Sequence, residues 1–294
     1  MTITAEILAD GLYFGEGPRW HDGRLWFSDF FAHAVFAMST DGSREMICEV
    51  PNRPSGLGWL PDGRLLVVSM TDRKVMRREH DGTLVVHADL NHIATFHCND
   101  MVVDAHGRAY VGNFGFDLDT AFETQGAEFV FGDPGPTKAK LTRVDPDGST
   151  HVVADAMRFP NGSVITPDGT TLVVAESIGR CLTAFTIAAD GSLSNKRVWA
   201  DLGQRVPDGI CLDGDGHIWV ANPFHPECFL VAEGGEVLDV IETGDPSFAC
   251  MLGGDDGRTL YCLTAPNSNA HVAAVAPKGH VRVARVAVAH AGLP

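Results

Sequence analysis

Three residues of this chain have the chemistry to hold a divalent cation together. Glu16, Asn161 and Asp208 each lie seven or eight residues before the glycine of a turn, and each is followed directly by another glycine. Their carboxylate and amide oxygens suit Ca²⁺, Mg²⁺ or Mn²⁺ and can also hold Zn²⁺. Two carboxylates would balance the charge of one such ion. The types of these donors therefore suit a site for one divalent metal ion, whose identity the donor set leaves open.

These residues belong to a repeat that predicts their position in space. Six segments share a glycine turn followed by a short apolar run: HDGRLWFSDF (21–30), PDGRLLVVSM (61–70), AHGRAYVGNF (105–114), PDGTTLVVAE (167–176), GDGHIWVANP (214–223) and DDGRTLYCLT (255–264). Units of roughly 40–50 residues with several short strands are typical of a β-propeller. The same offset in the other three units gives Ser55, Asn99 and Ala249. An all-β, six-bladed β-propeller would place all six positions in a ring around its axis.

The third unit departs from the repeat. Its two turn glycines, Gly107 and Gly148, are 41 residues apart, against 19–22 in the other units. Since helical periodicity is not sustained there, residues 116–140 are predicted to be a long, Phe-rich insertion loop that covers the pocket as a lid. Residues 1–294 are predicted to form one domain. We expect Ile3–Leu8 to pair beside Val281–Val288, so that N- and C-terminal strands close the ring.

Composition narrows the class of protein. The net charge of −16 argues against binding to nucleic acid or to an anionic membrane. The seven cysteines are scattered and form no CxxC pair, which favours reduced thiols in the cytoplasm. The sequence MTITAEILADG lacks the pattern of a secretory signal. We expect a cytoplasmic monomer or homodimer whose partner is a small molecule.

Four motifs resemble those of the senescence-marker-protein/gluconolactonase (regucalcin-like) family of six-bladed propellers. They are GEGPRW, HCNDMVVDAHGRAYVG, PNGSVITPDGTTLVVAES and PDGICLDGDGHIWVA, in the family's order. The resemblance implies a lactonase with a metal ion on Glu16, Asn161 and Asp208. It further implies that Asn99, followed by Asp100, contacts the substrate, and that Asp208 is the general base.

One position departs from the family pattern. Sugar-lactone hydrolysing members commonly carry Arg two residues before the substrate-contacting Asn, and this chain has His97 there. A neutral imidazole offers one donor and one acceptor instead of a fork of donors. With Asn113 and Phe114 also expected near the pocket and Ser55 lining it, we predict a substrate with fewer hydroxyl groups than an aldonolactone.

Three functions stay open at this point. The first is hydrolysis of a small lactone, in which the metal ion polarises the carbonyl and Asp208 activates water. The second is hydrolysis of other esters or organophosphates at the same site. The third is a metal-binding propeller without catalysis. A serine hydrolase is not favoured, because no GxSxG motif occurs.

Overall fold

The computed structural model describes residues 3–291, and its strands form six sheets. In chain order the elements are β1 (Ile3–Thr4), β2 (Glu6–Leu12), β3 (Gly15–His21), β4 (Arg24–Asp29), β5 (Ala34–Met38), β6 (Arg44–Glu49), β7 (Pro54–Trp59), β8 (Leu65–Ser69), β9 (Lys74–Arg78), β10 (Leu84–Asp89), β11 (Cys98–Val103), β12 (Ala109–Asn113), α1 (Leu118–Phe131), β13 (Ala139–Val144), β14 (Thr150–Met157), β15 (Pro160–Ile165), β16 (Thr171–Glu176), β17 (Cys181–Ile187), β18 (Leu193–Asp201), β19 (Ile210–Leu212), β20 (Ile218–Asn222), β21 (Glu227–Val231), β22 (Val237–Glu242), β23 (Ser247–Gly253), β24 (Thr259–Thr264), α2 (Ala270–Ala273) and β25 (Gly279–Arg285).

The sheets are the blades of a six-bladed β-propeller, as predicted. Blades one to five begin with β3, β7, β11, β15 and β19, and each continues outward through the next three strands of the chain. Blade six begins with β23 and has the order β23-β24-β25-β2. The first strands of successive blades contact one another, and β23 contacts β3. The first strands therefore surround the central axis.

The N-terminal segment is divided between two blades. β2 pairs antiparallel with β25, so that Glu6 lies opposite Val283 in blade six. β1 instead adds to the outer edge of blade five, where Ile3 pairs in parallel with Ile241 of β22. One short segment thus connects the outer strands of two neighbouring blades.

The apolar core lies between neighbouring blades. Leu57 and Val67 of blade two pack with Val35 of blade one, and Val164 of blade four packs with Ile218 of blade five. The first and second strands are buried on both faces, as LLVVS of β8 illustrates. This burial makes each first strand a rigid support for the residues at its start.

The prediction that residues 116–140 form a loop is wrong in part, because α1 occupies Leu118–Phe131 between β12 and β13. Asp117 caps its N-terminus and accepts a hydrogen bond from Thr120 N at 3.1 Å. Gly126 interrupts the helix with φ 77° and ψ 173°, a conformation that is open almost only to glycine. This break shifts the apolar residues out of a single helical phase, which is why the sequence showed no sustained period. Among the described helices, none is long and apolar enough to cross a membrane.

Candidate metal centre

Irregular pairing at the start of the first strands positions the polar residues. The β-ladder shifts register between Glu16 and Arg19 in β3 and between Pro160 and Ser163 in β15. The corresponding shifts in the other two blades lie at 54–57 and 98–101. A bulge bends the strand and changes the direction of its side chains. The four irregularities therefore occur where Glu16, Ser55, Asn99 and Asn161 lie.

Glycines next to these residues allow the first strands to approach one another. A Cβ on Gly56 would lie 2.3 Å from the backbone nitrogen of Met101 in the next blade. A Cβ on Gly162 would lie 2.5 Å from the nitrogen of Ile210 and 2.7 Å from the carbonyl oxygen of Asp208. Such contacts leave no room for a side chain. The backbone that carries one polar residue is thus packed directly against the backbone that carries the next.

A chain of hydrogen bonds joins residues from three blades. Ser55 Oγ donates to Asn99 Oδ1 at 3.3 Å, and Asn99 Nδ2 donates to Asn161 Oδ1 at 2.8 Å. Asn161 Nδ2 donates in turn to Ser177 Oγ at 3.1 Å. All four side chains are buried. Because each amide is held at both ends, the carbonyl oxygen of Asn161 has a fixed direction and keeps one lone pair for a further partner.

Three buried carboxyl groups lie close to one another beside this chain. Burial, followed by repulsion from Asp208 and Asp100, raises the pKa of Glu16 well above its usual value. Burial and the charge of Asp100 likewise raise the pKa of Asp208. Burial raises the pKa of Asp100, whereas Arg19 opposes that increase. Ionisation of all three carboxyl groups together is therefore electrostatically unfavourable.

The unsatisfied charge fits a bound cation. Glu16, Asp100 and Asp208 carry three negative charges when ionised, and Arg19 supplies one buried positive charge. Asp208 Oδ1 is buried and has no hydrogen-bond partner among the described residues. Within residues 3–291, no cluster of three or more His, Cys, Asp or Glu side chains has a metal-binding arrangement. A candidate metal centre here would thus use Glu16 and Asp208 with an amide oxygen.

His97, Phe114 and Asn113 lie on the blade-three side of this centre. The His97 ring packs 4.1 Å from the ring of Phe96 and 6.0 Å from that of Phe114, between ring centroids. Burial, together with the charge of Arg53, lowers the pKa of His97 to about 4. Its imidazole is therefore neutral at pH 7. Asn113 Nδ2 donates to the carbonyl oxygen of Lys140 at 2.7 Å, which assigns that amide a structural contact.

Helix α1 extends from blade three to the loops of other blades at the same end of the propeller. Asn269 Nδ2 of blade six donates to Glu123 Oε1 at 3.5 Å. The centroid of the Phe131 ring lies 5.8 Å from that of Phe224 in blade five. Arg180 of blade four stacks over the Phe131 ring, with Cζ 4.4 Å from its centroid. Glu16, Asn99 and Asp208 are at most 7% exposed. The helix therefore bridges the end of the propeller where the polar residues lie.

Arg19 and Ser177 were not identified from the sequence. Arg19 donates through Nη1 to the carbonyl oxygen of Pro18 at 2.7 Å and through Nη2 to that of Met101. The motif GEGPRW contains it, but residues three apart on a regular strand point to opposite faces. The bulge between Glu16 and Arg19 removes that alternation.

The family model described as "SMP-30/Gluconolactonase/LRE-like region" matches residues 14–266. The chain is 27% identical over 276 residues to pentonolactonase XacC of Haloferax volcanii, covering 90% of this chain and 86% of that protein. It is 24% identical over 293 residues to a gluconolactonase of Zymomonas mobilis, covering 89% and 79%. The structure of a calcium-binding protein, regucalcin, from Agrobacterium tumefaciens superposes with a TM-score of 0.74 at 19% identity, covering 96% of each chain.

Proposed function

The chain belongs to the SMP-30/gluconolactonase/LRE-like family, and we propose that it is a lactone hydrolase that uses one divalent metal ion. Curated relatives named pentonolactonase and gluconolactonase support the reaction class. The observation that carries the metal dependence is the uncompensated charge of the buried carboxyl groups. Three carboxylates and one guanidinium leave two negative charges, which a divalent cation would balance.

Glu16, Asn161 and Asp208 would hold the ion through two carboxylates and one amide oxygen. The bound ion would supply Lewis acidity toward the lactone carbonyl. Oxygen-only ligands favour Ca²⁺, Mg²⁺ or Mn²⁺ over softer ions, with Zn²⁺ as a further candidate. The relative described as a calcium-binding protein makes Ca²⁺ the first ion to test.

Asp208 is the proposed general base. Its Oδ1 has no partner among the described residues, so this oxygen is free to accept a proton from the attacking water. Asn99 is the proposed positioning residue for substrate or water. One hydrogen of its Nδ2 is donated to Asn161, which leaves the second for a substrate oxygen. The charge of Asp100 is offset by that of Arg19, which leaves the charges of Glu16 and Asp208 for the cation.

The surroundings of His97 support a substrate less hydroxylated than an aldonolactone. The imidazole is neutral and packs against Phe96 and Phe114, so at this one position it offers a single donor or acceptor instead of the guanidinium fork that meets sugar hydroxyl groups in the family. We further propose that residues 116–140 act as a lid, since α1 bridges blades four, five and six. Pairing of β2 with β25 would close the ring of blades. Seven free cysteines favour a reducing, cytoplasmic location.

Hydrolysis of a panel of γ-, δ- and ε-lactones and sugar lactones, followed with a pH indicator, tests the proposal. The protein is treated with chelator and then supplied with Ca²⁺, Mg²⁺, Mn²⁺ or Zn²⁺. We expect turnover to disappear with chelator and to return with at least one ion. An aryl phosphate assayed in parallel distinguishes lactonase from phosphotriesterase activity. Absence of turnover with every ion, in a folded protein, would contradict the proposal.

Asp208→Asn separates the base from the fold. We expect the variant to keep its melting temperature within a few degrees and to lose at least about 100-fold in kcat, the usual contribution of a general base. Glu233→Gln is the matched control, because it removes one carboxylate from an exposed ion pair with Arg197. Loss of activity in both variants would point to net charge instead of the site.

A further inference from the structure

Two arginines beside the candidate metal centre have guanidinium groups without protein acceptors. Arg53 precedes β7, and Arg73 lies in the turn between β8 and β9. Both side chains are half-buried. Within residues 3–291, neither guanidinium forms a hydrogen bond or an ion pair, and Arg73 Nε is buried without a partner. Half-buried guanidinium groups usually have oxygen partners, since losing water without replacement is costly.

The backbone holds both arginines next to the strand that carries Asn99. Met70 N donates to the carbonyl oxygen of Arg53 at 2.8 Å. Met70 O accepts from Arg73 N at 3.3 Å and from Cys98 N at 3.2 Å. One residue of blade two therefore ties together both arginines and the start of β11. Arg53 and Arg73 also have left-handed backbones, with φ of 64° and 54°, which fix the direction in which each side chain leaves the chain.

The Phe31 ring and His97 lie near the two arginines, and we call the region formed by these four residues the corner. Arg53 Cζ lies 4.9 Å from the centroid of the Phe31 ring. The charges of both arginines act on His97 and contribute to the lowering of its pKa. A neutral imidazole is itself able to donate or accept one hydrogen bond. The donors of the corner are thus assembled with no protein oxygen among the described residues to accept from the arginines.

Acidic residues on and before α1 balance this charge only in part. Asp119 raises the pKa of Arg53 against the effect of burial, and Asp117 raises the pKa of His97. Neither carboxylate comes within ion-pair distance of Arg53 or Arg73, since the described residues show no such pair. Both guanidinium groups therefore lack a paired carboxylate among the described residues, in a chain whose net charge is −16.

We propose that Arg53 and Arg73, with His97, form an oxyanion subsite that recognises an anionic substituent on the lactone substrate. The group would be a carboxylate, sulfonate or phosphate held by forked guanidinium donors. His97 lies two residues before Asn99 in the chain, and Met70 links both arginines to Cys98 at the start of β11, so an anion bound at the subsite would lie beside the strand that carries Asn99. This inference rests on the proposed lactonase function and names the class of substrate.

A pair of lactones that differ in one charge tests the subsite. γ-Butyrolactone carries no anion, and 5-oxotetrahydrofuran-2-carboxylate is the same ring with a carboxylate. For the intact protein with its metal ion, we expect kcat/KM to favour the carboxylate. Arg53→Gln and Arg73→Gln should each raise KM for the carboxylate by about tenfold or more, the loss expected for one charge-assisted hydrogen bond. Neither should change KM for γ-butyrolactone more than about twofold.

Arg197→Gln is the matched control, since it removes one positive charge from an exposed ion pair with Glu233. It should leave both KM values unchanged. Circular dichroism and melting temperature establish that each variant is folded. If Arg53→Gln does not fold, Arg53→Lys replaces it, because lysine keeps the charge but lacks the forked donors. An equal effect on both lactones, or no preference of the wild type for the anion, would overturn the subsite.

Calorimetric titration with tetrahydrofuran-2-carboxylate separates this inference from the proposed function. This ring cannot be hydrolysed, so its binding does not depend on turnover. We expect binding to the wild type and loss of binding in the Arg53→Gln, Arg73→Gln double variant. The phosphate ester of tetrahydrofuran-2-methanol, titrated alongside, distinguishes a tetrahedral from a planar anion. Failure to bind either probe would contradict the subsite even if the lactones are hydrolysed, whereas binding without hydrolysis would contradict only the lactonase.

Discussion

Asn99 donates a 2.8 Å hydrogen bond from Nδ2 to Oδ1 of Asn161, across the junction between blades three and four. The two amides are 62 residues apart in the sequence. Each has a second partner, Ser55 Oγ on one side and Ser177 Oγ on the other. The bond therefore determines which atom of Asn161 is presented to a cation, because an amide held at both ends cannot turn over.

Replacement of Asn99 by alanine should reduce activity more than stability. The change removes the donor that orients Asn161 and the free hydrogen proposed to contact substrate. We expect kcat/KM to fall by about 10- to 100-fold, the value of one or two buried hydrogen bonds. The affinity for Ca²⁺, measured by calorimetry, should fall as well. Asn195→Ala, at an exposed amide of β18, is the control and should leave both values unchanged.

The stability of the cation-free protein should rise on mild acidification. Burial raises the pKa values of Glu16 and Asp208 in the folded state. The folded protein therefore binds more protons than the unfolded chain between the ordinary carboxyl pKa, about 4, and the raised values. Within that window the free energy of unfolding increases as the pH falls. Thermal denaturation in chelator, between about pH 5 and pH 8, measures this slope.

Two comparisons separate this effect from the repulsion of a strongly acidic surface. Saturation with the cognate cation should flatten the slope, because the bound ion keeps both carboxylates deprotonated in the folded state. Asp208→Asn should also reduce the slope in chelator, whereas Glu233→Gln should not. If the cation-saturated protein, Asp208→Asn and Glu233→Gln all showed the slope of the wild type in chelator, surface charge and not the buried carboxyl groups would control the pH dependence.

The repeat made the propeller predictable, because six similar units leave few ways to bury their strands. It also predicted that Ser55, Asn99 and Asn161 lie in one ring, and they are joined there by hydrogen bonds. Residues at the same offset in successive repeat units occupy equivalent positions around the propeller axis. Their proximity could therefore be predicted without knowledge of long-range contacts.

The features that escaped prediction depend on local irregularity. Gly126 divides α1 and removes the helical period on which its recognition depends. A bulge brings Arg19 to the side of the acidic group against the alternation of a regular strand. Arg53 directly precedes β7 and Arg73 lies in the turn after β8, and it is the hydrogen bonds to the Met70 backbone that bring them together. Contacts of this kind have no signature in residue type or spacing.

Shortening Phe131 should loosen the lid without unfolding the propeller. Its ring lies against Phe224 and beneath Arg180, so Phe131→Ala removes contacts of α1 with blades five and four. We expect faster amide hydrogen exchange over residues 118–131 and an increase in KM of about three- to tenfold, since a lid that opens more often binds substrate less well.

Phe36→Ala is the control for this change. Phe36 is also half-buried and also has an arginine over its ring, with Arg44 Cζ 5.6 Å from the centroid. It lies in β5 of blade one, away from α1. Its removal should lower the melting temperature and leave KM unaltered. If Phe36→Ala raised KM as much as Phe131→Ala, the contact with α1 would not be the cause.

Gly56→Ala should damage the ring of first strands itself. The added Cβ would meet the backbone of the next blade, 2.3 Å from Met101 N and 2.8 Å from the carbonyl carbon of Asp100. Backbone atoms packed on both sides cannot move away at low cost, so we expect a loss of more than about 3 kcal/mol in the free energy of unfolding. Any folded fraction should bind Ca²⁺ less well, because the strand that carries Asn99 is displaced. Gly214→Ala is the control, since its Cβ would lie 3.4 Å from the nearest atom. Chemical denaturation of the two variants measures the difference, and equal stability would show that the first strands can separate without cost.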